Sequence, residues 1–380
     1  MNLIIAGDFF ISDNFKNQTL IDSSVEELFA CADLRIVNLE SPLTANEPRN
    51  RILKTGPYLR SAAGTVLPYL QQLKIDLVTL ANNHILDYGV KGITDTFSTL
   101  QENQINYVGA GHNLQEAAKP FTLEKDGIKI AILNFAENEW SIAKEDKPGA
   151  NPLDIIDNVI QLKAAKATHD KVICIIHGGH EYYHLPSPYM VKQYRFYAIN
   201  GADAIVCHHT HCVGGYEVFN DVPIIYSLGN FLFTLPSQHE EWYTGLLTQL
   251  KIEKGKPVSF DLHTVCQEKN TFKTTLLQQN QVIDTMQLVN EINAQIANKS
   301  ILQQSWDKFI KKNSKIYLNS LTPTNAIGNR YLRAGINRFG IGKLFLSKHY
   351  LKLILNLIRC EAHYNSTKEI IQLQLNSIKE

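Results

Sequence analysis

Polar side chains that could bind metal ions follow five short apolar segments of this sequence. These segments are four or five residues long and rich in Ile, Val and Leu, which is typical of buried strands. The polar motifs that follow them are Gly7-Asp8, Asn38-Leu39-Glu40, Asn82-Asn83-His84, the segment 177–181 (HGGHE) and the segment 208–211 (HHTH). Binding groups of open α/β sheets lie just beyond the carboxyl ends of the strands. We therefore expect these side chains to meet at one edge.

The residue types in these motifs suit transition-metal chemistry. Carboxylate and amide oxygens combined with imidazoles favour Mn, Fe or Zn over Ca or Mg alone. The ligands suffice for two divalent ions that share a carboxylate, and two ions about 3.5–4 Å apart can clamp both ends of an in-line displacement at phosphorus. His84 stands next to an Asn ligand and can protonate a leaving oxygen without binding a metal. The motifs together predict two divalent metal ions, Mn, Fe or Zn.

Each motif also has a structural explanation when it is taken alone. A Gly-Asp pair is common after strands, and the Asn82-Asn83 pair could cap a helix. A single histidine after a strand is often a hydrogen-bonded structural residue. The pair His209 and His211 is more telling, because alternate residues of a strand point the same way. Five such motifs at five strand ends favour a common site over five separate coincidences.

Length and charge limit the class of protein. The 380 residues are 44% hydrophobic and 19% charged, which suits one large domain with an appendage or two domains. Lys plus Arg and Asp plus Glu both number 37, and this balance argues against a nucleic-acid partner. We also find no signal-peptide pattern and no apolar stretch of about 18 residues. The expected location is cytoplasmic.

The order of apolar and amphipathic segments predicts an α/β protein. Short apolar strands alternate with helical patterns up to about residue 245, and a hairpin is predicted from segments 246–253 and 257–265. Helical patterns at 282–298, 301–312 and 342–358 follow. We accordingly predict one domain over residues 1–265 and a helical, basic region over residues 266–380.

The basic region has two interpretations. Residues 301–380 contain nine Lys and four Arg against one Asp and three Glu. Its last amphipathic helix could simply pack on its own domain. Alternatively, its apolar and basic residues could dock on a membrane surface or on an acidic partner.

Seven ordered motifs between residue 1 and about residue 250 carry a family resemblance. They are GDFF (7–10), NLESPLT (38–44), LANNHILDYG (80–89), VGAG (108–111), HGGHEY (177–182), GADAIVCHHTH (201–211) and YSLGNF (226–231). In these motifs the chain resembles the bacterial capsule synthesis protein CapA family, also met as the poly-gamma-glutamate synthesis protein PgsA. That family belongs to the calcineurin-like metallophosphoesterase superfamily.

The resemblance implies a fold and a set of roles. The fold would be a metallophosphoesterase-like α/β/β/α sandwich with a mostly helical C-terminal extension. Asp8 and His211 would bind the first metal, Asn83, His177 and His209 the second, and Glu40 would bridge the two. His84 would be the general acid. Supporting or substrate-contacting roles would fall to Asn38, Asn82, Asp87, His180, Glu181 and Asn230.

Two positions depart from the wider pattern. Phe10 replaces the histidine that phosphoesterases of the superfamily carry two residues after the first aspartate, so the first metal loses one ligand. Gly178 replaces a tryptophan often found after the first histidine of the HxGxE motif, and we expect this glycine to widen the pocket mouth.

Two functions from different classes follow from the resemblance. The first is a phosphoric ester hydrolase that takes a phosphorylated glycan or a related anionic substrate in capsule, exopolysaccharide or polyglutamate biosynthesis. The second is a non-catalytic assembly or polymer-handling factor that keeps the site only for binding. His84 favours the enzyme, since a binding site needs the ligands but no acid for a leaving group.

Overall fold

A computed structural model describes residues 1–278 and 280–377 of the chain. It divides into two compact units, residues 1–303 and residues 304 onward. The described residues form sixteen strands and eleven α-helices. The strands are β1 (Asn2–Phe10), β2 (Leu34–Leu39), β3 (Leu77–Thr79), β4 (Asn106–Val108), β5 (Ala110–Gly111), β6 (Phe121–Lys125), β7 (Ile128–Ala136), β8 (Gly149–Ala150), β9 (Lys171–His177), β10 (Ala204–His208), β11 (Tyr216–Phe219), β12 (Val222–Ile225), β13 (Asn230–Phe233), β14 (Thr244–Lys251), β15 (Ser259–Gln267) and β16 (Thr274–Leu276).

The helices cover the sheets in the first unit and make up the second. They are α1 (Ser23–Ala30), α2 (Ala63–Gln72), α3 (Gly89–Glu102), α4 (Leu114–Ala117), α5 (Ile155–Lys166), α6 (Pro188–Ile199), α7 (Asn280–Ala297), α8 (Lys299–Ser320), α9 (Arg330–Arg338), α10 (Lys348–Arg359) and α11 (Glu361–Ser377). Short 3-10 helices lie at Asp13–Phe15, Pro48–Asn50, Glu240–Tyr243, Pro323–Ala326 and Ile341–Phe345.

Two large sheets form the centre of the first unit. One has the strand order β16-β15-β14-β1-β2-β3-β4, with β13 also paired to β1, and the other has the order β11-β12-β10-β9-β7-β6. Strands β1 to β4 run parallel to one another, as do β7, β9, β10 and β12. Parallel strands of this kind are buried on both faces.

Three apolar layers explain the order of the elements. Between the sheets lie alternate residues of the strands, for example Leu3 and Ile5 of β1 with Ile173 and Ile175 of β9. The outer face of the first sheet packs on α1, α2 and α3, and that of the second packs on α5 and α6. This arrangement is an α/β/β/α sandwich and confirms the predicted fold class.

The register of the strands brings polar residues together at one edge. Asp8 of β1 pairs with Asn38 of β2 and with Asn230 of β13. His177 of β9 is in register with His208 of β10. His177 and His208 end their strands, Asp8 and Asn38 lie close to the carboxyl ends of β1 and β2, and Asn230 begins β13. Both sheets therefore present polar side chains at this edge.

The end of the first unit differs from the predicted boundary at residue 265. Strand β15 continues to Gln267, and β16 adds a further strand to the same sheet. Helix α7 then packs on β11, where the Asn293 Oδ1 accepts a hydrogen bond from the backbone N–H of Tyr216 at 2.6 Å. These contacts tie residues 266–303 to the sandwich rather than to the basic region.

The helix predicted over residues 342–358 is divided in the structure. A 3-10 helix ends at Phe345, and α10 begins at Lys348. Ser347 separates them because its hydroxyl accepts a hydrogen bond from the backbone N–H of Tyr350 at 3.1 Å and so caps α10. Within the described residues, no helix combines the length and the apolar character needed to cross a membrane.

Candidate metal centre

Asp8 lies at the point where the two sheets meet. Its Oδ1 accepts a hydrogen bond from the Nδ2 of Asn38 at 2.8 Å and lies 3.1 Å from the Nδ1 of His208. Its Oδ2 accepts the backbone N–H of His209 at 3.0 Å. Burial raises the pKa of Asp8, but the hydrogen bond and the charge of His208 outweigh it and hold the pKa well below its usual range. Asp8 is therefore ready to act as an anionic ligand.

Glu40 occupies the centre of a ring of imidazoles. Its Oε1 lies 3.8 Å from the Nε2 of His177, 3.9 Å from the Nε2 of His84 and 4.0 Å from the Nε2 of His211. Burial first, and then the charge of Asp8, raise the pKa of Glu40 well above its usual value. Burial of a charged carboxylate beside another carboxylate lowers the stability of the folded state unless a cation compensates the charge.

The ligand atoms of Asn83, His177 and His209 converge beside Glu40. The Nε2 of His177 lies 3.1 Å from the Oδ1 of Asn83 and 2.9 Å from the Nδ1 of His209. Burial lowers the pKa of His177 well below its ordinary value and that of His209 to about 3. Both imidazoles are thus neutral near pH 7, which is the form that binds metals.

The loop after β10 has a strained backbone that aims its histidines. His209 and His211 have φ angles of 105° and 55°, in the left-handed region that costs a non-glycine residue about 1–3 kcal/mol. Hydrogen bonding holds this geometry: the N–H of His209 binds Asp8, and the Nδ1 of His211 lies 2.9 Å from the Oδ1 of Asn230. Strain retained in this way is typical of functional sites.

The glycine of the first motif permits a close approach of two chain segments. A Cβ at Gly7 would lie 1.9 Å from the carbonyl oxygen of Gly229. The next backbone N–H, that of Asp8, donates to the same oxygen at 3.2 Å. The Gly-Asp order therefore fixes the position of the carboxylate against β13.

His84 is held by a buried ion pair. Its Nδ1 lies 2.7 Å from the Oδ2 of Asp87, and its backbone N–H donates to the Oδ1 of Asn82 at 3.1 Å. Lys54 forms a salt bridge with Asp87, and its Nζ lies 3.3 Å from the Nδ1 of His84. With Nδ1 so occupied, the Nε2 of His84 is left to face Glu40. Burial lowers the pKa of His84, and Asp87 partly opposes this effect.

The Lys54–Asp87 pair gives a stability prediction. Both side chains are nearly inaccessible, at 3% and 0% exposure, so Lys54→Met leaves a buried carboxylate without its partner. We expect the free energy of unfolding in urea to fall by about 3–5 kcal/mol. The exposed Lys91–Asp95 pair, at 50% and 31% exposure, supplies the control, and Lys91→Met should cost less than about 0.5 kcal/mol. Similar losses of stability in the two variants would show that the buried pair contributes no more to the free energy of unfolding than the exposed pair.

The donor set fits divalent metal ions. Both carboxylate oxygens of Glu40 and the Nε2 of His208 are buried without a hydrogen-bond partner among the described residues. Three groups of potential ligand atoms, each lying within 4.8 Å of one another, cover this region. They are Asp8–His177–His208, Glu40–His177–His209 and Asp8–Glu40–His211. Glu40 belongs to two of the groups, as a shared ligand of two ions would.

The structure brings the predicted ligand residues Asp8, Glu40, Asn83, His177, His209 and His211 into one cluster, with His84 beside it. Four predicted supporting residues contact the cluster or His84. Asn38 binds Asp8, and Asn230 contacts His211. Asn82 and Asp87 both bind His84.

Two other predicted residues border the cluster. His180 lies three residues beyond His177 and lines a neighbouring cleft. Glu181 is exposed at the surface, and its charge contributes to the raised pKa of Glu40. Their roles stay predictions.

The two departures from the superfamily pattern have structural explanations. Phe10 is buried and its ring lies 5.1 Å from that of Phe233, which in turn lies 5.1 Å from His211. Position 10 thus supports a ligand rather than supplying one. At Gly178, the space that a side chain would fill is occupied by Glu137, and the expected widening of the pocket mouth stays a prediction. A Cβ at Gly178 would lie 2.8 Å from the Cγ of Glu137.

His208 is the functional residue that motif reasoning overlooked. It is the last residue of β10, and its Nδ1 lies 3.0 Å from the Nδ1 of His177. The two-residue period of β10 does indicate the position of His208 in the sequence. Ala204 and Val206 face the space between the sheets, so His208 continues the same row.

Comparison with known proteins identifies relatives of this site. The family described as "Bacterial capsule synthesis protein PGA_cap" matches residues 2–235, which contain every residue of the cluster. The "PGA biosynthesis protein CapA" of Bacillus subtilis is 34% identical over 221 residues, covering 57% of this chain and 58% of that protein. The "Capsule biosynthesis protein CapA" of Bacillus anthracis is 31% identical over 202 residues, covering 52% and 49%.

These similarities concern part of each protein. The chain spans about half the length of the curated relatives it matches. Among solved structures, a phosphatase from Mycoplasma pneumoniae aligns with 75% of this chain and 96% of its own, at 14% identity and a TM-score of 0.37. Because the family match covers more than half of the sequence and includes the whole cluster, the chain belongs to the bacterial capsule synthesis protein family, as its motifs predicted.

Proposed function

We propose that this chain is a metal-dependent phosphoric ester hydrolase that acts in the synthesis of a capsule, an exopolysaccharide or polyglutamate. The observation that carries the hydrolase part is Glu40, whose two buried oxygens have no described partner and face three imidazoles. The biosynthetic part rests on family membership and on the names of the relatives from Bacillus subtilis and Bacillus anthracis.

The residues of the cluster would have distinct roles in metal binding. Asp8 and His211 would hold one divalent ion, Asn83, His177 and His209 a second, and Glu40 both. His208 would support Asp8 and His177. Ions bound there would act as Lewis acids toward a phosphoryl oxygen and lower the pKa of a water nucleophile.

Protonation of the leaving oxygen would fall to His84. Asp87 fixes its Nδ1 at 2.7 Å, so Nε2 is the atom that can deliver a proton. The carboxylate of Asp87 also stabilises the protonated ring, while Lys54 prevents the Asp87 charge from standing alone in the interior. This arrangement favours the hydrolase over a non-catalytic assembly or polymer-handling factor, which has no use for an oriented acid.

Turnover of simple esters tests the proposal. Purified protein should release p-nitrophenolate from p-nitrophenyl phosphate or its bis ester when Mn²⁺ is added, and chelation should stop the release. Asp8→Asn should abolish turnover, whereas Asp261→Asn, an exposed carboxylate of β15, should not. Metal-loaded protein that turns over neither ester would favour the assembly or polymer-handling role.

We also propose that the second unit docks on an anionic membrane surface. Its sequence is strongly basic, and Phe339 and Leu344 are 80% and 82% exposed. Further exposed apolar residues of the unit include Tyr331, Leu332, Leu355 and Ile358. Apolar side chains beside lysines and arginines match the combination of acyl chains and anionic headgroups at a membrane surface.

Vesicle sedimentation tests this docking. The full chain should sediment with vesicles that contain phosphatidylglycerol, less with pure phosphatidylcholine vesicles, and less again as the salt concentration rises. The double variant Phe339→Glu/Leu344→Glu should lose binding. The double variant Ile160→Glu/Ile199→Glu, a matched change at exposed positions of α5 and α6, should retain it. Equal sedimentation of both variants would contradict the proposal.

A further inference from the structure

A cleft of about 600 Å³ opens beside the metal centre. Its walls come from the residues after β7, the loop after β9 and the first turns of α5 and α6. This volume falls within the range of about 300–1,000 Å³ that is usual for small-molecule sites. All of its lining residues belong to the first unit.

Hydrogen bonds join the cleft to the metal centre. Glu137, in the cleft wall, donates its backbone N–H to the carbonyl of His177 at 3.0 Å. Its Oε1 accepts the backbone N–H of Gly179 at 3.1 Å. Two residues further on, the Oε2 of Glu139 accepts a hydrogen bond from Asn83 at 3.3 Å. The wall of the cleft is thus bonded directly to the segment that carries His177.

The polar lining of the cleft offers both hydrogen-bond acceptors and donors. Glu137 and Asp154 contribute carboxyl groups, Asn138 and Gln193 contribute amides, and Ser187 and His180 contribute a hydroxyl and an imidazole. Gln193 is buried, and its Nε2 donates a hydrogen bond to the hydroxyl of Tyr197 at 2.8 Å. Its Oε1 takes no part in this bond. Among the lining residues, all of them in the described part of the chain, there is no lysine or arginine.

The apolar side chains that line the cleft are exposed and can pack against the ring of a bound sugar. Tyr189, at the start of α6, and Ile156, at the start of α5, are both exposed side chains at the cleft. Met190 and Leu153 complete this apolar part. An aromatic ring with aliphatic neighbours packs on the C–H faces of a sugar, while carboxylates and amides accept bonds from its hydroxyls.

We propose that this cleft binds a neutral sugar unit of the substrate, next to the phosphate ester that the metal centre would hydrolyse. The proposal rests on the proposed function and narrows its substrate to a phosphorylated saccharide. A polyglutamate chain or a second phosphate would meet Asp154 and Glu137 with no lysine or arginine in the lining. Burial raises the pKa of Glu137 to about 7, so the like-charge contacts that select against an anionic ligand strengthen above that pH.

Ligand-observed NMR on the full chain tests this site without any turnover. The probes are glucose, N-acetylglucosamine and their β-linked disaccharides, with a γ-linked glutamate oligomer as the anionic comparison. At least one sugar should show saturation transfer from the wild-type protein, and the glutamate oligomer should show none. Binding of the oligomer in place of the sugars, or binding of neither, would overturn the proposal.

Paired substitutions locate the binding. Ile156→Arg should block the cleft and weaken sugar binding at least about tenfold. Ile160→Arg, one turn further along α5 and outside the lining, should not; the two residues are 72% and 62% exposed. Tyr189→Ala should likewise weaken binding, with Phe196→Ala of α6 as its exposed counterpart outside the cleft. Equal binding by both members of each pair would place the sugar elsewhere and overturn the assignment.

Failure of this proposal can be told apart from failure of the hydrolase. A protein that hydrolyses p-nitrophenyl phosphate but gives no sugar signal overturns the cleft assignment alone. A protein that gives the sugar signal in the cleft but hydrolyses no ester supports the binding site and overturns the hydrolase.

Discussion

Glu40→Gln should make the metal-free protein more stable while it removes metal binding and turnover. The wild-type carboxyl is buried without a described partner and has a raised pKa, whereas glutamine has the same shape and is neutral at every pH. We expect the free energy of unfolding at pH 7 to rise by about 1–3 kcal/mol, because the variant avoids the cost of protonating a carboxyl above its ordinary pKa, about 1.4 kcal/mol per pH unit. Turnover should fall more than about 100-fold, since even supporting residues of metal sites cost 10–100-fold.

The pH dependence of this gain follows from the raised pKa of Glu40. Above its ordinary value of 4.5, the carboxyl is ionised in the unfolded chain but holds its proton in the metal-free folded state. The unfolded state then binds fewer protons, so this residue lowers stability as the pH rises. The advantage of Glu40→Gln should therefore be greater at pH 8 than at pH 5.

Thermal unfolding without metal and with added Mn²⁺ measures both effects. Mn²⁺ should raise the melting temperature of the wild type by binding the folded state, and it should not raise that of Glu40→Gln. Glu102→Gln, at an exposed position of α3, controls for the loss of a surface charge. If Glu40→Gln lowers metal-free stability or keeps the Mn²⁺ response, Glu40 is not a shared metal ligand.

His84→Asn should lower turnover by about 10²–10⁴-fold while metal content stays near that of the wild type. The side chain contacts Asp87 through Nδ1 and has only Nε2 facing the centre, so its loss removes a proton donor rather than a ligand. Esters with good leaving groups need little protonation and should suffer least. The measurement is turnover of phosphate esters whose leaving groups span several pKa units, together with metal analysis of the same samples.

The pattern across esters decides the role of His84. A steeper dependence on leaving-group pKa in the variant than in the wild type supports the general acid. Equal losses on good and poor leaving groups, or a loss of metal, would mean that His84 is a structural residue or a ligand.

The sequence predicts the strands and their carboxyl ends well because buried parallel strands have a simple apolar pattern. That pattern places Asp8, Glu40 and His177 at one edge before any contact is known. The edge strands are harder to predict. Strands β6 and β11 contain the polar sequences FTLEK and YEVF, and pairing with a neighbouring strand determines their structure more than their own residues do.

Contacts between distant segments account for the rest of the difference. Lys54 reaches His84 from a loop 30 residues earlier in the chain, and no local pattern indicates that a lysine will be buried there. Glu137 fills the space beside Gly178 in the same way. The sequence shows that Gly178 lacks a side chain, but only the fold shows which residue takes its place.

Metal analysis of purified protein tests whether the cluster binds metal ions. Elemental analysis by mass spectrometry compares the wild type with the double variant His177→Ala/His209→Ala and with the control His112→Ala/His169→Ala, whose histidines lie outside the cluster. We expect at least one bound transition-metal ion per chain in the wild type and in the control, and loss of most of this metal in the first variant. Equal metal content in all three proteins would contradict a metal centre at this cluster, because the ions would then be bound elsewhere.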